Sequence, residues 1–350
     1  MEKISRRAFV KKLVINGAVL SFGDVIFHSP LKALAGGKYD IGECKSIKVK
    51  CISELPCFDN KMNIKTIMNA GGLTTNQWKI PWVPENSAGS CTLIDMEALD
   101  GTHHKFLLDV GWSISYMDQC FKREGVDTML KKGEIEAVLI SHEHIDHFWG
   151  LESVLKHNPN IKIYIPDTFY PEALKFLKGA EFPESGARNL IPHTGKLIQF
   201  KPGTVNKIYE GCAAVGFDVP VGVRCQGEQS LYFNVKGKGI VCVSGCCHQG
   251  ILNMAEFAWE NIAGGKNMFG IYGGLHITMF GNLTKEKEEI IKGMAKYGFE
   301  KVACNHCTGI EAVKKMVELG YPVVRGTGRF GSWTDLYVGN GDEVFFGIES

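Results

Sequence analysis

Residues 135–150 read IEAVLISHEHIDHFWG, and this stretch decides the fold. Its first half is apolar apart from one glutamate, which predicts a buried β-strand. The strand runs into three histidines and two acids within positions 142–147. Alternate residues of a strand face one side, so His142 and His144 can reach one ion. A following turn brings Asp146 and His147 to a second position, and imidazole with carboxylate suits zinc, iron or manganese.

Three more histidines stand where other apolar runs stop: His248, His276 and His306. Strand ends in α/β folds are where ligands and metals collect. We therefore predict His248 and His306 as further metal ligands. His276 is either a ligand or a substrate contact. His193 is a further candidate, with an ordinary loop histidine as the alternative.

The remaining pattern predicts an α/β fold, because strand-like runs alternate with helix-like ones. Nine runs predict strands: SIKVKCI, KFLLDVG, IEAVLIS, IKIYIP, SLYFNV, GIVCVSG, FGIYGG, EKVACN and EVFFGI. Four predict helices: 167–178, 250–263, 284–297 and 308–319. Thr308 and Glu311 form a capping-box pattern at the start of the last helix. Residues 57–90 are polar and weakly periodic, which predicts a long loop or an insertion near a site mouth. His103 and His104 are expected in a solvated turn.

The order of motifs resembles one branch of the metallo-β-lactamase superfamily. The motif HEHIDH (142–147) is similar to the superfamily signature, and Asp109 after FLL is similar to its first motif, an aspartate that braces the metal loop. GCCHQG (245–250), GGLHI (273–277) and HCTG (306–309) resemble the dihydropterin ribofuranosylaminobenzene phosphate synthase-like branch. The resemblance implies a four-layer αβ/βα sandwich, with two mixed sheets flanked by helices.

This chain departs from the superfamily pattern near its bridging aspartate, where Cys246 and Cys247 stand instead. Either a thiolate is a ligand, or the second metal site is weaker, or the thiols are inert and buried. Phe148 and Trp149 replace part of the branch motif, and their rings are expected to line the pocket.

The resemblance and the ligand pattern together imply a metal-dependent hydrolase. A metal-activated water attacks an ester, phosphoester or related small molecule, with Asp146 as general base. One or two Zn²⁺ ions are expected, with Mn²⁺ or Fe²⁺ as alternatives. The other hypotheses are a pterin-pathway synthase-like transferase, an iron-dependent thiol or persulfide oxidation, and a non-catalytic metal- or ligand-binding module.

The N-terminus predicts export. Residues 5–11, SRRAFVK, resemble a twin-arginine signal, and ALA at 33–35 suits a signal peptidase. We expect a signal peptide over residues 1–35, export by the twin-arginine machinery to the periplasm or outside the cell, and one domain over 36–350. The net charge of +1 predicts no nucleic-acid partner. The sequence contains no run of about 20 uncharged apolar residues, so no membrane span is predicted.

Overall fold

The computed structural model describes residues 38–279 and 281–348, so the expected signal peptide lies outside the described residues. Within them, the strands are β1 (Cys44–Ser53), β2 (Cys91–Ala98), β3 (His103–Leu108), β4 (Ile135–Leu139), β5 (Lys162–Pro166), β6 (Glu181–Phe182), β7 (Ala187–Arg188), β8 (Leu197–Phe200), β9 (Val205–Tyr209), β10 (Cys212–Val221), β11 (Cys225–Val235), β12 (Gly239–Ser244), β13 (Met268–Gly274), β14 (Lys301–Asn305) and β15 (Glu343–Phe346). The α-helices are α1 (Asn60–Asn69), α2 (Ile114–Glu124), α3 (Val126–Lys131), α4 (Ile145–Phe148), α5 (Glu152–Leu155), α6 (Pro171–Leu177), α7 (Ile251–Asn261), α8 (Lys285–Gly293) and α9 (Ile310–Glu318). Each of the nine predicted strand runs contains a strand.

The main sheet is mixed and has two halves. In the first half, β15, β1, β2 and β3 pair antiparallel, and β3, β4, β5 and β8 pair parallel. In the second half, β9 to β12 pair antiparallel, and β12, β13 and β14 pair parallel. The halves meet between β1 and β11 through one pair, Cys44 with Val235. Parallel pairing in each half aligns the carboxyl ends of its strands.

Three hydrophobic cores separate four layers of secondary structure. Alternation along β3 sends Leu107 to a core shared with helices α2 to α6 and sends Phe106 to a core between the sheet halves. In β12, Val241 joins the same central core, and Cys242 joins a third core with helices α7 to α9. The α/β class and the helix-flanked mixed sheet are confirmed. No helix in these described ranges is long and apolar enough to cross a bilayer.

Of the two alternatives for residues 57–90, a long loop or an insertion, the long loop is wrong. The segment contains α1 and two short 3₁₀ helices. Asp59 caps α1 by accepting the N–H groups of Lys61 and Met62. Trp78 from this segment is buried in the core beside Trp149, with ring centroids 4.8 Å apart. Most residues of this segment are polar, so its few large buried apolar side chains, such as Trp78, were not recognised from the sequence.

Two further predictions are wrong: the capping box at the start of the last helix and the turn at His103 and His104. The last helix begins after Gly309, which has no side chain to cap it, and the Thr278 hydroxyl accepts the N–H of Ala312 in its first turn. The Thr308 hydroxyl instead accepts the N–H of Leu275, so it ties two strand ends together. His103 and His104 begin strand β3 rather than a turn.

Candidate metal centre

The predicted ligands converge because they follow strands that end at one edge of the sheet. His142 comes three residues after β4, and His248, His276 and His306 come after β12, β13 and β14. These last three strands are parallel neighbours, so their carboxyl ends align. The fold therefore brings together side chains from distant parts of the sequence.

The first donor group consists of His142, His144 and His248. Its ligand atoms all lie within 4.8 Å of one another. Nε2 of His142 lies 3.0 Å from Nδ1 of His144. The His248 ring centroid is 4.6 Å from that of His142 and 5.1 Å from that of His144. The spacing suits one ion held by three imidazoles.

The second donor group consists of Asp146, His147 and His306, again within 4.8 Å of one another. The two Nε2 atoms lie 3.1 Å apart, and Asp146 Oδ2 lies 3.5 Å from each of them. Asp146 is the most accessible member, because its side chain is 16% exposed while both imidazoles are buried. The group combines nitrogen and oxygen donors at one point.

The ring orientations of His142 and His147 are set by Asp109 and Ser141. Asp109 Oδ2 accepts the Nδ1–H of His147 at 2.6 Å and the Ser141 hydroxyl at 2.8 Å. The Ser141 oxygen in turn lies 2.8 Å from Nδ1 of His142. Because the serine proton goes to Asp109, the imidazole Nδ1 must donate to Ser141. Both rings therefore turn Nε2 toward the site, the nitrogen that would bind a metal.

Backbone carbonyl oxygens orient two further imidazoles. Nδ1 of His306 lies 2.8 Å from the Glu54 carbonyl oxygen, and Nε2 of His144 lies 3.0 Å from that of Gly222. A carbonyl oxygen can only accept, so each bonded nitrogen carries the proton. His306 therefore offers Nε2 to the site, and His144 offers Nδ1.

Glu228 orients His248 and holds the loop after β12. One carboxylate oxygen accepts from Nδ1 of His248 at 2.8 Å and from its backbone N–H at 2.6 Å. The other accepts the N–H groups of Cys246 and Cys247 and the Ser244 hydroxyl. Burial raises the carboxyl pKa, but His248 and these N–H groups outweigh it and lower the pKa to about 2. Glu228 was not predicted from the sequence, because its neighbours Gln226, Gln229 and Ser230 are also polar and give no local signal.

Burial and mutual repulsion keep several of the imidazoles neutral. Burial, with nearby imidazoles, lowers the pKa of His144 and of His306 to about 3 and that of His142 well below its usual value. For His147, burial lowers the pKa, but the carboxylates of Asp146 and Asp109 outweigh it and raise the pKa to about 9. Neutral imidazoles are the form that binds a metal, and a cation would displace the proton held on His147.

Backbone strain concentrates at this edge of the sheet. Among the described non-glycine residues, positive φ angles occur at Asp109 (64°), Cys247 (55°), His276 (48°) and His306 (50°), with three more elsewhere. Such conformations cost free energy and persist where the surrounding structure requires them. At these four positions the chain turns directly after a strand, at the edge that carries the donor groups.

The two cysteines after β12 face different ways. The sulfur of Cys246 lies 3.3 Å from Nε2 of His147. It also lies within 4.8 Å of a ring nitrogen of His142, so both imidazoles could share an ion with it. The sulfur of Cys247 lies 3.9 Å from that of Met254, in the core beneath α7. Burial raises the pKa of both thiols. His276 lies beside His248, with ring centroids 4.6 Å apart.

The remaining histidine and aromatic candidates lie elsewhere. His193 is bonded through Nε2 to a backbone carbonyl at 2.6 Å, in a loop. His103 pairs with Asp95, and His104 stacks on a tyrosine and pairs with an acid on the surface. The rings of Phe148 and Trp149 are packed in the core with helix α6, so they do not line the pocket.

Known proteins resemble this chain in sequence and in fold. Residues 85–221 match the family model described as the metallo-beta-lactamase superfamily. A 7,8-dihydropterin-6-methyl-4-(beta-D-ribofuranosyl)-aminobenzene-5'-phosphate synthase from Methanocaldococcus jannaschii is 28% identical over 215 residues, which cover 53% of this chain and 70% of that protein.

Two solved structures share the fold at low sequence identity. One is a metal-dependent hydrolase of the beta-lactamase superfamily, with TM-score 0.53, 19% identity and coverage of 85% of this chain and 98% of that chain. The other is Zn²⁺-bound PqqB from Methylobacterium extorquens, with TM-score 0.50, 12% identity and coverage of 86% and 100%. The matched region contains both acids and all three histidines of the HEHIDH motif. Residues 85–221 of this chain therefore match a metallo-beta-lactamase superfamily domain.

Proposed function

We propose that this protein is a metal-dependent hydrolase of a small-molecule ester, phosphoester or related compound. The observation that carries the proposal is the pair of donor groups at one edge of the sheet. Each of their five imidazoles has one ring nitrogen bonded to an acceptor and the other turned toward the site. Such prior orientation by surrounding groups is typical of metal centres.

The donor chemistry fits one or two divalent cations. His142, His144 and His248 would hold one ion, and Asp146, His147 and His306 a second. Imidazole with carboxylate favours Zn²⁺, with Mn²⁺ and Fe²⁺ as alternatives. When bound, such ions polarise a substrate oxygen and lower the pKa of water toward about 7.

Asp146 is the proposed general base. Its carboxylate is accessible, whereas the imidazoles next to it are buried and already bonded. Burial raises the pKa of the Asp146 carboxyl, which makes the carboxylate a better proton acceptor. Asp146 would accept the proton of the attacking water and hold that water against the substrate.

A narrow cleft with a volume of about 30 Å³ lies beside the donor groups. The cleft is lined by Gly250, Ile251, Leu252, Asn253, Leu275, His276, Ile277 and Ile290. Its walls are mainly aliphatic, and His276 stands at the end nearest the imidazoles. A space of this size admits only water-sized groups, so the proposal rests on the donor groups and not on this cleft.

The proposal is tested by metal analysis followed by turnover assays. The purified protein should contain zinc or manganese and should hydrolyse an aryl phosphodiester or a lactone. Turnover should be lost in His144→Ala and kept in His193→Ala, whose imidazole lies outside both donor groups. A metal-free folded protein, or turnover that survives in His144→Ala, would contradict the proposal. Iron as the main metal would favour the oxidation of thiols or persulfides.

A second candidate is a synthase-like transferase. It is favoured by the 28% identity to the Methanocaldococcus jannaschii synthase. This candidate requires a pterin substrate, so binding of a dihydropterin phosphate can be measured by calorimetry. Binding without any hydrolysis would favour the transferase over the hydrolase.

We also propose that residues 1–35 direct export by the twin-arginine machinery to the periplasm or beyond. The pair Arg6 and Arg7, followed by Phe9, supports this. Replacing both arginines by lysine should retain the protein in the cytoplasm of a host with that machinery, as cell fractionation would show. An unchanged distribution would contradict export by this route.

A further inference from the structure

Three potential metal donors follow three adjacent strands at the same offset. Cys246, His276 and Cys307 each stand two residues beyond the last residue of β12, β13 and β14. These strands pair in parallel, with Ser244 opposite Gly273 and Gly274 opposite Asn305, so their carboxyl ends lie within one residue of each other. Equal offsets from these strand ends bring the three residues to the same edge of the sheet. We name them the sulfur triad.

The donor atoms of the sulfur triad are close enough to share one ion. The two sulfurs and a ring nitrogen of His276 lie within 4.8 Å of one another. The sulfur of Cys307 also lies 3.4 Å from the Cys246 carbonyl oxygen. Both cysteines are buried, at 4% and 0% exposure. Buried thiols at this spacing are candidates for thiolate ligation.

The backbone makes room for this arrangement. A Cβ on Gly274 would lie 2.5 Å from the Cys307 sulfur and 3.1 Å from a carbon of the His306 ring. Glycine at this position therefore lets the sulfur approach β13. The loop before Cys307 turns through the positive φ of His306, and His276 itself has a positive φ. Strain of this kind is stored at functional sites.

The sulfur triad adjoins the two imidazole-rich donor groups without being part of either. Cys246 provides the link, because its sulfur is 3.3 Å from Nε2 of His147. His276 and Cys307 belong to neither donor group. A thiolate at Cys246 would thus lie between two cation positions, that of the sulfur triad and that of the donor group that contains His147.

We propose that Cys246, His276 and Cys307 form a separate binding site for a thiophilic divalent cation such as Zn²⁺. Two thiolates and one imidazole select zinc-type or ferrous ions over Mg²⁺, Ca²⁺ or Mn²⁺. Three protein ligands leave a fourth tetrahedral position open. Binding releases the two thiol protons to solvent. The negative charges of the two thiolates then neutralise the charge of the divalent cation. The site goes beyond the proposed hydrolysis and does not depend on it.

The test uses Co²⁺ as a probe in the full-length protein, loaded under reducing, oxygen-free conditions. Cobalt bound to thiolate shows an intense near-ultraviolet charge-transfer absorption that imidazole and carboxylate ligation lack. We expect this absorption in the wild type and its strong reduction in Cys307→Ala. Mass spectrometry of the metal content should show one ion fewer in that variant. The matched control is Cys242→Ala, a buried cysteine of β12 whose side chain belongs to the core beneath α7.

Three outcomes would overturn the proposal. They are a wild type without thiolate absorption, an undiminished absorption in Cys307→Ala, and a Cys246–Cys307 disulfide in protein isolated under reducing conditions. If Cys307→Ala does not fold, His276→Gln takes its place, with the same loss of one ion expected. His144→Ala separates this site from the proposed function, because it removes ions from the imidazole group and leaves the thiolate absorption in place.

Discussion

The Nε2 atoms of His147 and His306 lie 3.1 Å apart, although the two residues are 159 positions apart in the sequence. Each ring has its Nδ1 bonded to an oxygen, Asp109 in one case and the Glu54 carbonyl in the other. The Nε2 atoms are therefore the ring nitrogens that face each other and the Asp146 carboxylate. A cation between these donors would bind both nitrogens at once and would displace the proton that His147 holds.

Replacing Glu228 by glutamine should weaken metal binding at the first donor group. The glutamine NH₂ would face either the Nδ1–H of His248 or the N–H groups of the following turn, since one amide oxygen cannot accept from all of them. We expect a loss of affinity of about 10–100-fold, as for other groups that orient metal ligands. Competition with a chromophoric chelator measures this. Glu97→Gln, at a surface ion pair with Lys45, is the control, and an equal effect there would contradict the role of Glu228.

Metal affinity should rise with pH up to about 9. The pKa of His147 is raised to about 9 by Asp146 and Asp109 against the effect of burial, so a cation competes with the proton on this ring. The pKa of about 3 for His144 and for His306 means that these rings lose no proton above pH 4. Apparent affinity should thus increase roughly tenfold per pH unit from this ring alone.

Asp109→Asn should make metal affinity less dependent on pH than in the wild type, because the cation and a proton compete for His147. An amide at this position removes one of the negative charges that hold the proton on His147. The apparent metal affinity of the variant should therefore depend less steeply on pH, as measured by the same chelator competition at pH 6, 7 and 8. An identical slope in both proteins would show that another group carries the competing proton.

The stability of the protein should contain a pH-dependent contribution from Glu54. Burial raises the pKa of this carboxyl to about 7, while the N–H of Trp333 and the hydroxyl of Tyr337 lower it in part. The folded state therefore binds the proton more tightly than the unfolded state. The contribution is fully present below pH 4.5 and is lost as the pH rises through 7, by up to ~3 kcal/mol.

Glu54→Gln removes this ionisation and tests its sign. Urea unfolding of the wild type and the variant at pH 5 and pH 8 gives the two free-energy differences. The wild type should lose stability relative to the variant between these pH values. A constant difference would mean that Glu54 titrates normally, whatever the variant's absolute stability.

Gly274→Ala should destabilise the fold and disturb the centre. The added Cβ would lie 2.5 Å from both the Cys307 sulfur and the Gly245 carbonyl oxygen. Overpacking of this kind costs about 1–3 kcal/mol, measurable by urea unfolding. Gly216→Ala in β10 is the control, because its Cβ would meet neighbours no closer than 3.4 Å. Equal stability losses would argue against a tight fit at Gly274.

Much of the fold could be predicted from local patterns. The nine strand predictions rested on short runs rich in β-branched residues between polar turns, and each one coincides with a strand. Two of the strands that were missed lack this pattern. Residues Cys212–Val221 include Gly216 and Pro220, and Val205–Tyr209 is short and only partly buried. Both are held by pairing with neighbours, which a local pattern does not reveal.

The candidate site was predictable in its chemistry but not in its contacts. The sequence by itself determined which donors exist and that they follow apolar strands, because both facts are local. Only the tertiary structure decided that Cys246 faces the imidazoles while Cys247 faces the core, and that Cys307 lies beside Cys246. It also decided which ring nitrogen of each histidine is free, since Glu228, Glu54 and Gly222 come from distant segments. Local patterns place residues on strands, whereas strand pairing and long-range hydrogen bonds orient their side chains.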